Sequence, residues 1–213
     1  MKGASPLRIV LDVNIFVSDI IGRSLGRRGT TSQKLVDAML AGKIGDRPAQ
    51  LVISLAMLES FRGALLRLRA PTASIESATE ALLDLTRNGP DRLDPYLLLD
   101  TGHAAFSMQD REDAGVLAIA FAANADLLVT DNLADFATKD CVSIETSQAR
   151  HADGSERQLS CQFHRSPTGR ELVVAHPLDV AARMAKGQAV TFDDLTEAAE
   201  SIFARRDSGI PKN

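Results

Sequence analysis

The first apolar, β-branched run of the chain is Leu7–Leu11 (LRIVL), and it ends in Asp12. A continuous run of this kind predicts a buried strand. Apolar residues at 15, 16, 17, 20 and 21 then predict a helix from Asn14 to Ile21. A loop rich in Gly and Arg, Gly22–Gly29, follows, and Thr30–Thr31–Ser32 can cap a helix running to about Leu40. Leu51–Val52–Ile53 predicts a second short buried strand. Ser54 is a good N-cap for a long helix, Leu55–Arg69, that Pro71 ends. Residues 72–88 predict another amphipathic helix (Ile75, Ala78, Leu82, Leu85), stopped by Asn88–Gly89–Pro90. Further strands are expected at Tyr96–Leu99, Leu127–Val129 and Val142–Ile144, with an Ala-rich buried helix at Ala114–Ala123.

Strands alternating with helices predict a three-layer α/β/α domain with a mostly parallel central sheet. Its expected extent is residues 1–147, with the pattern itself running over about 5–147. After a polar stretch, Gln148–Glu156, the pattern changes. Gln158–Phe163 and Glu171–Ala175, separated by Ser166–Pro167–Thr168–Gly169, predict a β-hairpin, and two helices follow at about 177–186 and 192–205. Residues 148–213 are therefore expected as a C-terminal extension packed on the same domain. The amphipathic 192–205 helix (Phe192, Leu195, Ala198, Ala199, Ile202, Phe203) suits docking onto its own core. Asp207–Asn213 is expected to be a loose tail.

Composition narrows the class. Of 213 residues 45 % are hydrophobic, the usual share for a globular protein, and the only large aromatic besides Phe is Tyr96, so the core must be aliphatic. A net charge of −4 excludes a chain that is basic throughout, although a local patch can still hold phosphates. Two distant cysteines, Cys141 and Cys161, make no disulfide framework and suit reduced, buried thiols. No signal-like start is visible, and the longest apolar stretch, Ala114–Thr130, is too short and too polar to span a bilayer. A cytoplasmic protein without membrane association is the expectation.

Four acids fall where chemistry gathers in such a fold. Asp12 and Asp131 follow strand ends, Asp113 opens the Ala-rich helix, and Glu59 lies in the second turn of the helix after the second strand. In open parallel sheets, ligands bind outside the carboxyl ends of the strands. Two carboxylates about 4 Å apart repel by roughly 4 kcal/mol at an effective dielectric near 20, so a cluster takes up protons or binds a cation. Oxygen donors without thiols or imidazoles favour Mg²⁺ or Mn²⁺. Singly, each acid has a plainer explanation: Asp12 and Asp113 as helix caps, Asp131–Asn132 as a turn pair, Glu59 as a solvated helix residue.

The segments IVLDVNIFVS (9–18), LVISLAMLESFRGAL (51–65) and DREDAGVLAIAFAANADLLVTDNLADF (110–136) together resemble PIN domains. Within that resemblance Asp12 matches the first metal-binding acid and Asn14 a recurrent partner. Glu59 matches the second acid, Asp113 the third, and Thr130 the hydroxyl that precedes the last acid. The likeness covers residues 7–146 and is strongest to the VapC-like toxins of bacterial toxin–antitoxin pairs. It departs at Asn132, which stands in the fourth acid's place, so Asp131 and Asp135 are the candidates to supply the missing carboxylate; Asp131 is preferred because it is nearer the strand end. The resemblance implies a Mg²⁺- or Mn²⁺-dependent endoribonuclease acting on single-stranded or structured RNA. It also implies a homodimer and a cognate antitoxin protein.

Phosphates need cations. Arg23, Arg27 and Arg28, in the loop after the first helix, are candidates near the presumed strand ends. Arg62, on the helix face of Glu59, is another. Solvated surface arginines are the alternative for each. Other readings are weaker. Cys161 and His164, with His151 and His176 nearby, invite zinc, but residues three apart on a strand face opposite ways. His103 stands alone. No phosphate-binding G-x-x-x-x-G-K-[ST] loop is present. Asp12–Val13–Asn14 is also similar to phosphatases of the haloacid dehalogenase type, which use a second Asp where Asn14 stands. Asn132 leaves open a catalytically silent scaffold that binds RNA or protein.

Overall fold

A computed structural model describes residues 5–87, 97–98, 111–150, 154, 156–166 and 168–208. Tyr96, Leu99, the Asn88–Gly89–Pro90 stop, His103, His151, Pro167 and the tail from Gly209 lie outside the described residues. In chain order the elements are β1 (Leu7–Leu11), α1 (Val13–Ser24), α2 (Thr31–Leu40), β2 (Lys43–Ile44), β3 (Arg47–Ser54), α3 (Leu55–Arg67) and α4 (Thr72–Arg87). Then come β4 (Leu97–Leu98), α5 (Arg111–Ala122), β5 (Leu127–Val129), β6 (Val142–Arg150), β7 (Glu156–Arg165), β8 (Glu171–Ala175), α6 (Pro177–Ala185) and α7 (Asp193–Asp207). The α/β class with a parallel sheet centre is as expected.

The strand order is β2-β3-β1-β5-β8-β7-β6, with β4 also paired to β3. β3, β1, β5 and β8 run parallel, as does β4 on β3, while β2, β7 and β6 pair antiparallel. The parallel strands are buried on consecutive residues, Ile9–Leu11, Ala49–Ser54, Leu127–Val129 and Leu172–Ala175. Consecutive burial means cover on both faces, which is what an unbroken apolar run encodes. β6, at the edge, instead alternates between exposed and partly covered residues. Helix starts also follow the sequence signals. Thr30 makes a full capping box with Gln33, and the Ser54 hydroxyl accepts the Met57 N–H at 3.1 Å.

From β1 the chain crosses to β3 and on to β4, then returns past β1 to β5 and continues to β8 on the other side. The direction of travel therefore reverses between β1 and β5, and the right-handed crossover rule puts α5 on the face opposite α1–α4. In such sheets the crevice at the reversal, beyond the carboxyl ends, is where ligands bind.

The C-terminal segment joins the same sheet. The expected boundary at 147 falls inside β6, and the polar stretch from Gln148 carries this strand on to Arg150. The predicted hairpin exists as β7 and β8, closed by a turn in which Gly169 has φ 79°. Its second strand is not peripheral, because β8 lies between β5 and β7. α7 buries Ala199 and Phe203, and its Arg206 donates to the Cys141 carbonyl at 2.7 Å, so this helix packs on the chain's own sheet. Among the described residues no helix is long and apolar enough to cross a membrane.

Candidate active site

Asp12 is the residue that β1 delivers to the reversal point. Leu11 pairs with Val129, the Asp12 N–H donates to the Val129 carbonyl at 2.9 Å, and the side chain is buried in spite of its charge. β5 delivers Thr130 opposite. The fully buried Thr130 hydroxyl donates to Asp12 Oδ2 at 2.7 Å and accepts the Asn132 N–H at 3.1 Å. Asn14 adds a long contact from Nδ2 to the same oxygen, 3.4 Å. Asp12 holds the N-cap position of α1 without a side-chain capping hydrogen bond of ordinary geometry, and the N–H groups of Val13 and Asn14 at the helix start still favour its charge.

Electrostatics mark Asp12 as the strained member. Burial pushes its carboxyl above the usual carboxylate value, and the negative charge of Asp131 adds to this. The Thr130 hydroxyl and the N–H groups of Val13 and Asn14 pull the other way. Of the two candidates for the fourth acid, Asp131 is thus the one that acts on Asp12. The Asp135 carboxylate accepts from the Asn132 side-chain amide. Asp131 and Asp135 are both exposed.

The other acids stand differently. Glu59 is exposed on α3 and Asp113 is half-buried in the first turn of α5. Among the described residues no three of His, Cys, Asp and Glu are grouped closely enough to hold a metal ion. The structure brings together Asp12, Asn14, Thr130, Asp131, Asn132 and Asp135, and it does not bring Glu59 or Asp113 into a three-member group with Asp12. The donor set that is present still fits a hard divalent ion. Mg²⁺ keeps several waters and needs only one or two protein carboxylates, and Asp12 is a buried oxygen donor that a cation relieves.

Arg23, Arg27 and Arg28 lie apart from this edge. Arg23 belongs to the last turn of α1 rather than to the loop, and it is bound to Asp19 and Asp37 at 2.7 Å each. Arg27 and Arg28 are exposed beyond it, and with Arg23, Gln33 and Asp37 they line a cleft of about 370 Å³. α1 has 12 residues and so is about 18 Å long. The cleft therefore sits a helix's length from Asp12, not beside the strand ends. Gly26 and Gly29, at φ 70° and 68°, let the loop turn there. Arg62 is exposed on α3, near Glu59 in sequence.

One residue near the site has no functional signal in the sequence beyond a possible zinc ligand. His176 follows β8, caps α6, and places Nε2 3.8 Å from Asp131 Oδ1. A His-Pro pair directly after an apolar strand signals only the helix start, since Pro favours the first helical position. Cys161 and His164, by contrast, are buried in β7. Burial, with Asp179 nearby, pushes the Cys161 thiol up to about 12, and burial pushes His164 down to about 4.

A family profile described as "PIN domain" matches residues 8–134, more than half of the chain. The chain belongs to the PIN-domain family. PIN domains are generally nucleases, and PIN nucleases generally use divalent metal ions. The match begins in β1 and ends just past Asn132, so it takes in every acid proposed from the sequence except Asp135. No curated protein matches the chain.

Proposed function

We propose that this PIN domain is an endoribonuclease that cleaves single-stranded RNA with Mg²⁺ or Mn²⁺. The observation that carries the reading is the buried Asp12, held by the Thr130 hydroxyl at the reversal point of the sheet and facing the charge of Asp131. Asp12 and Asp131 would hold the ion, with Glu59 and Asp113 reaching it directly or through waters. When bound, such an ion neutralises charge on a phosphodiester and lowers the pKa of water.

The chain's own groups have definite parts in this. The Asn132 N–H fixes the Thr130 hydroxyl, the hydroxyl fixes Oδ2 of Asp12, and the carboxylate so held would offer its charge to the ion. Asn132, with Asp135 on its amide, supports this arrangement in place of a fourth acid. Arg27, Arg28 and Arg62 would hold RNA phosphates, while Arg23, already paired with two carboxylates, would shape the cleft. In this reading the protein is a VapC-like toxin, a homodimer silenced by a cognate antitoxin.

Incubation with labelled single-stranded RNA tests the proposal. Cleavage should vanish in EDTA, return with Mn²⁺, and be lost in Asp12→Asn and Asp113→Asn. A second reading, a silent scaffold that binds RNA or protein, is favoured by Asn132 and by the lack of a three-acid group among the described residues. It expects RNA binding that is indifferent to EDTA, with no cleavage under any metal.

A further inference from the structure

The family match stops at residue 134, yet the edge bearing Asp12 has a neighbour from beyond it. β8 pairs with β5 so that Ala175 is level with Val129, and the Ala175 carbonyl accepts the Thr130 N–H at 3.1 Å. The next residue, His176, therefore leaves the sheet beside Thr130, at the level of Asp12.

Its ring is held in place. His176 is 5 % exposed, and its Nδ1 accepts the Leu178 N–H at 3.2 Å as the N-cap of α6, with Pro177 at the first helical position. A ring nitrogen that accepts carries no hydrogen, so the hydrogen of the neutral ring is on Nε2. That nitrogen is the one 3.8 Å from Asp131 Oδ1. The Asp131 side chain is 46 % exposed and that of His176 only 7 %, so the histidine is the buried partner and the carboxylate the exposed one.

We propose that His176, supplied by the segment beyond the family match, is a positioning residue: its Nε2–H faces the Asp131 carboxylate and keeps it turned toward Asp12. The role rests on the nuclease reading of the same site. Asp131 lies one residue past Thr130 on an exposed turn, so without a fixed partner its carboxylate samples solvent. A buried ring anchored to a helix start limits that freedom. Groups of this kind behind a metal ligand set its orientation, and their loss typically lowers metal affinity or activity about 10- to 100-fold.

Calorimetric titration of Mn²⁺ into the full chain, without RNA, tests this with five proteins: wild type, His176→Asn, His176→Gln, Asp131→Asn and the His176→Asn/Asp131→Asn double variant. Asn is a good N-cap and keeps the Leu178 N–H bonded, but it is too short to reach Asp131. Gln extends an amide N–H toward the position of Nε2. His176→Asn should weaken Mn²⁺ binding by about tenfold or more, and His176→Gln should recover most of that loss. In the Asp131→Asn background His176→Asn should change nothing further.

Wild-type affinity in His176→Asn overturns the proposal and leaves the nuclease reading standing. An equal loss with and without Asp131 also overturns it, because His176 then does not act through that carboxylate. A wild-type protein that neither binds Mn²⁺ nor cleaves RNA removes the nuclease reading and this role together. If His176→Asn melts earlier than wild type, its comparison with His176→Gln, titrated below both transitions, decides the matter.

Discussion

Asp12 carries a cost at neutral pH that its neighbours only partly offset. Its folded pKa lies above the unfolded value of 3.8. The folded state therefore keeps the proton longer, and the stability this provides is present below 3.8 and lost as pH rises through the folded value. At pH 7 the ionised carboxylate works against folding unless a cation sits on it. Asp12→Asn keeps an oxygen for the Thr130 hydroxyl and removes the charge. We expect it to raise the melting temperature at pH 7 in EDTA by roughly 2–4 °C, the scale of about 1 kcal/mol in a protein of this size, while abolishing any rise on adding Mn²⁺. Thr130→Val has a different signature. It leaves Asp12 Oδ2 without its 2.7 Å donor and the Asn132 N–H without its acceptor. Urea titration should show a loss of about 1–3 kcal/mol, with RNA cleavage falling along with it.

Among the elements, β7 holds the clearest pH sensitivity. His164 is buried beside Gln162, which donates to the Leu133 carbonyl at 2.8 Å, and its pKa is pushed down to about 4 by burial. The unfolded ring takes its proton near 6.5 and the folded ring does not, so stability is lost as pH falls from 6.5 toward 4. The full difference is roughly 3 kcal/mol. Urea midpoints at pH 7 and pH 4.5 should fall much less steeply with acid in His164→Gln than in wild type. The elements also show what the residue pattern could reveal. The unbroken runs at β1, β3, β5 and β8 announce strands covered on both faces, and Thr30 and Ser54 announce helix starts. β6 was legible only in its first three residues. From Glu145 onward it is polar because an edge strand with one open side tolerates charge, and polarity of that kind reads as a linker. Asp12 was legible because a strand end fixes it, and Thr130 through the resemblance to PIN domains. The relation of Glu59 and Asp113 to them was not, because it depends on how α3 and α5 pack, which periodicity does not encode.

For the whole molecule the consequence is that the match to the family and the folding unit differ in extent. β8 sits inside the sheet between β5 and β7, with Val174 and Ala175 fully buried, and α6 begins at the candidate site. A chain ending at residue 147 would expose the β5 edge and cut β6. We expect that fragment to show no cooperative urea transition, whereas the full chain should show one. If the carboxylates at the carboxyl edge of the sheet share a divalent ion centred on Asp12, a crystal of the full chain soaked in Mn²⁺ and measured at the manganese absorption edge will reveal it. We expect an anomalous peak within coordinating distance of Asp12, about 2.0–2.2 Å by analogy with small divalent ions, with Asp131 beside it. A fully soaked crystal with no peak at Asp12, or with manganese bound only elsewhere on the surface, would contradict it.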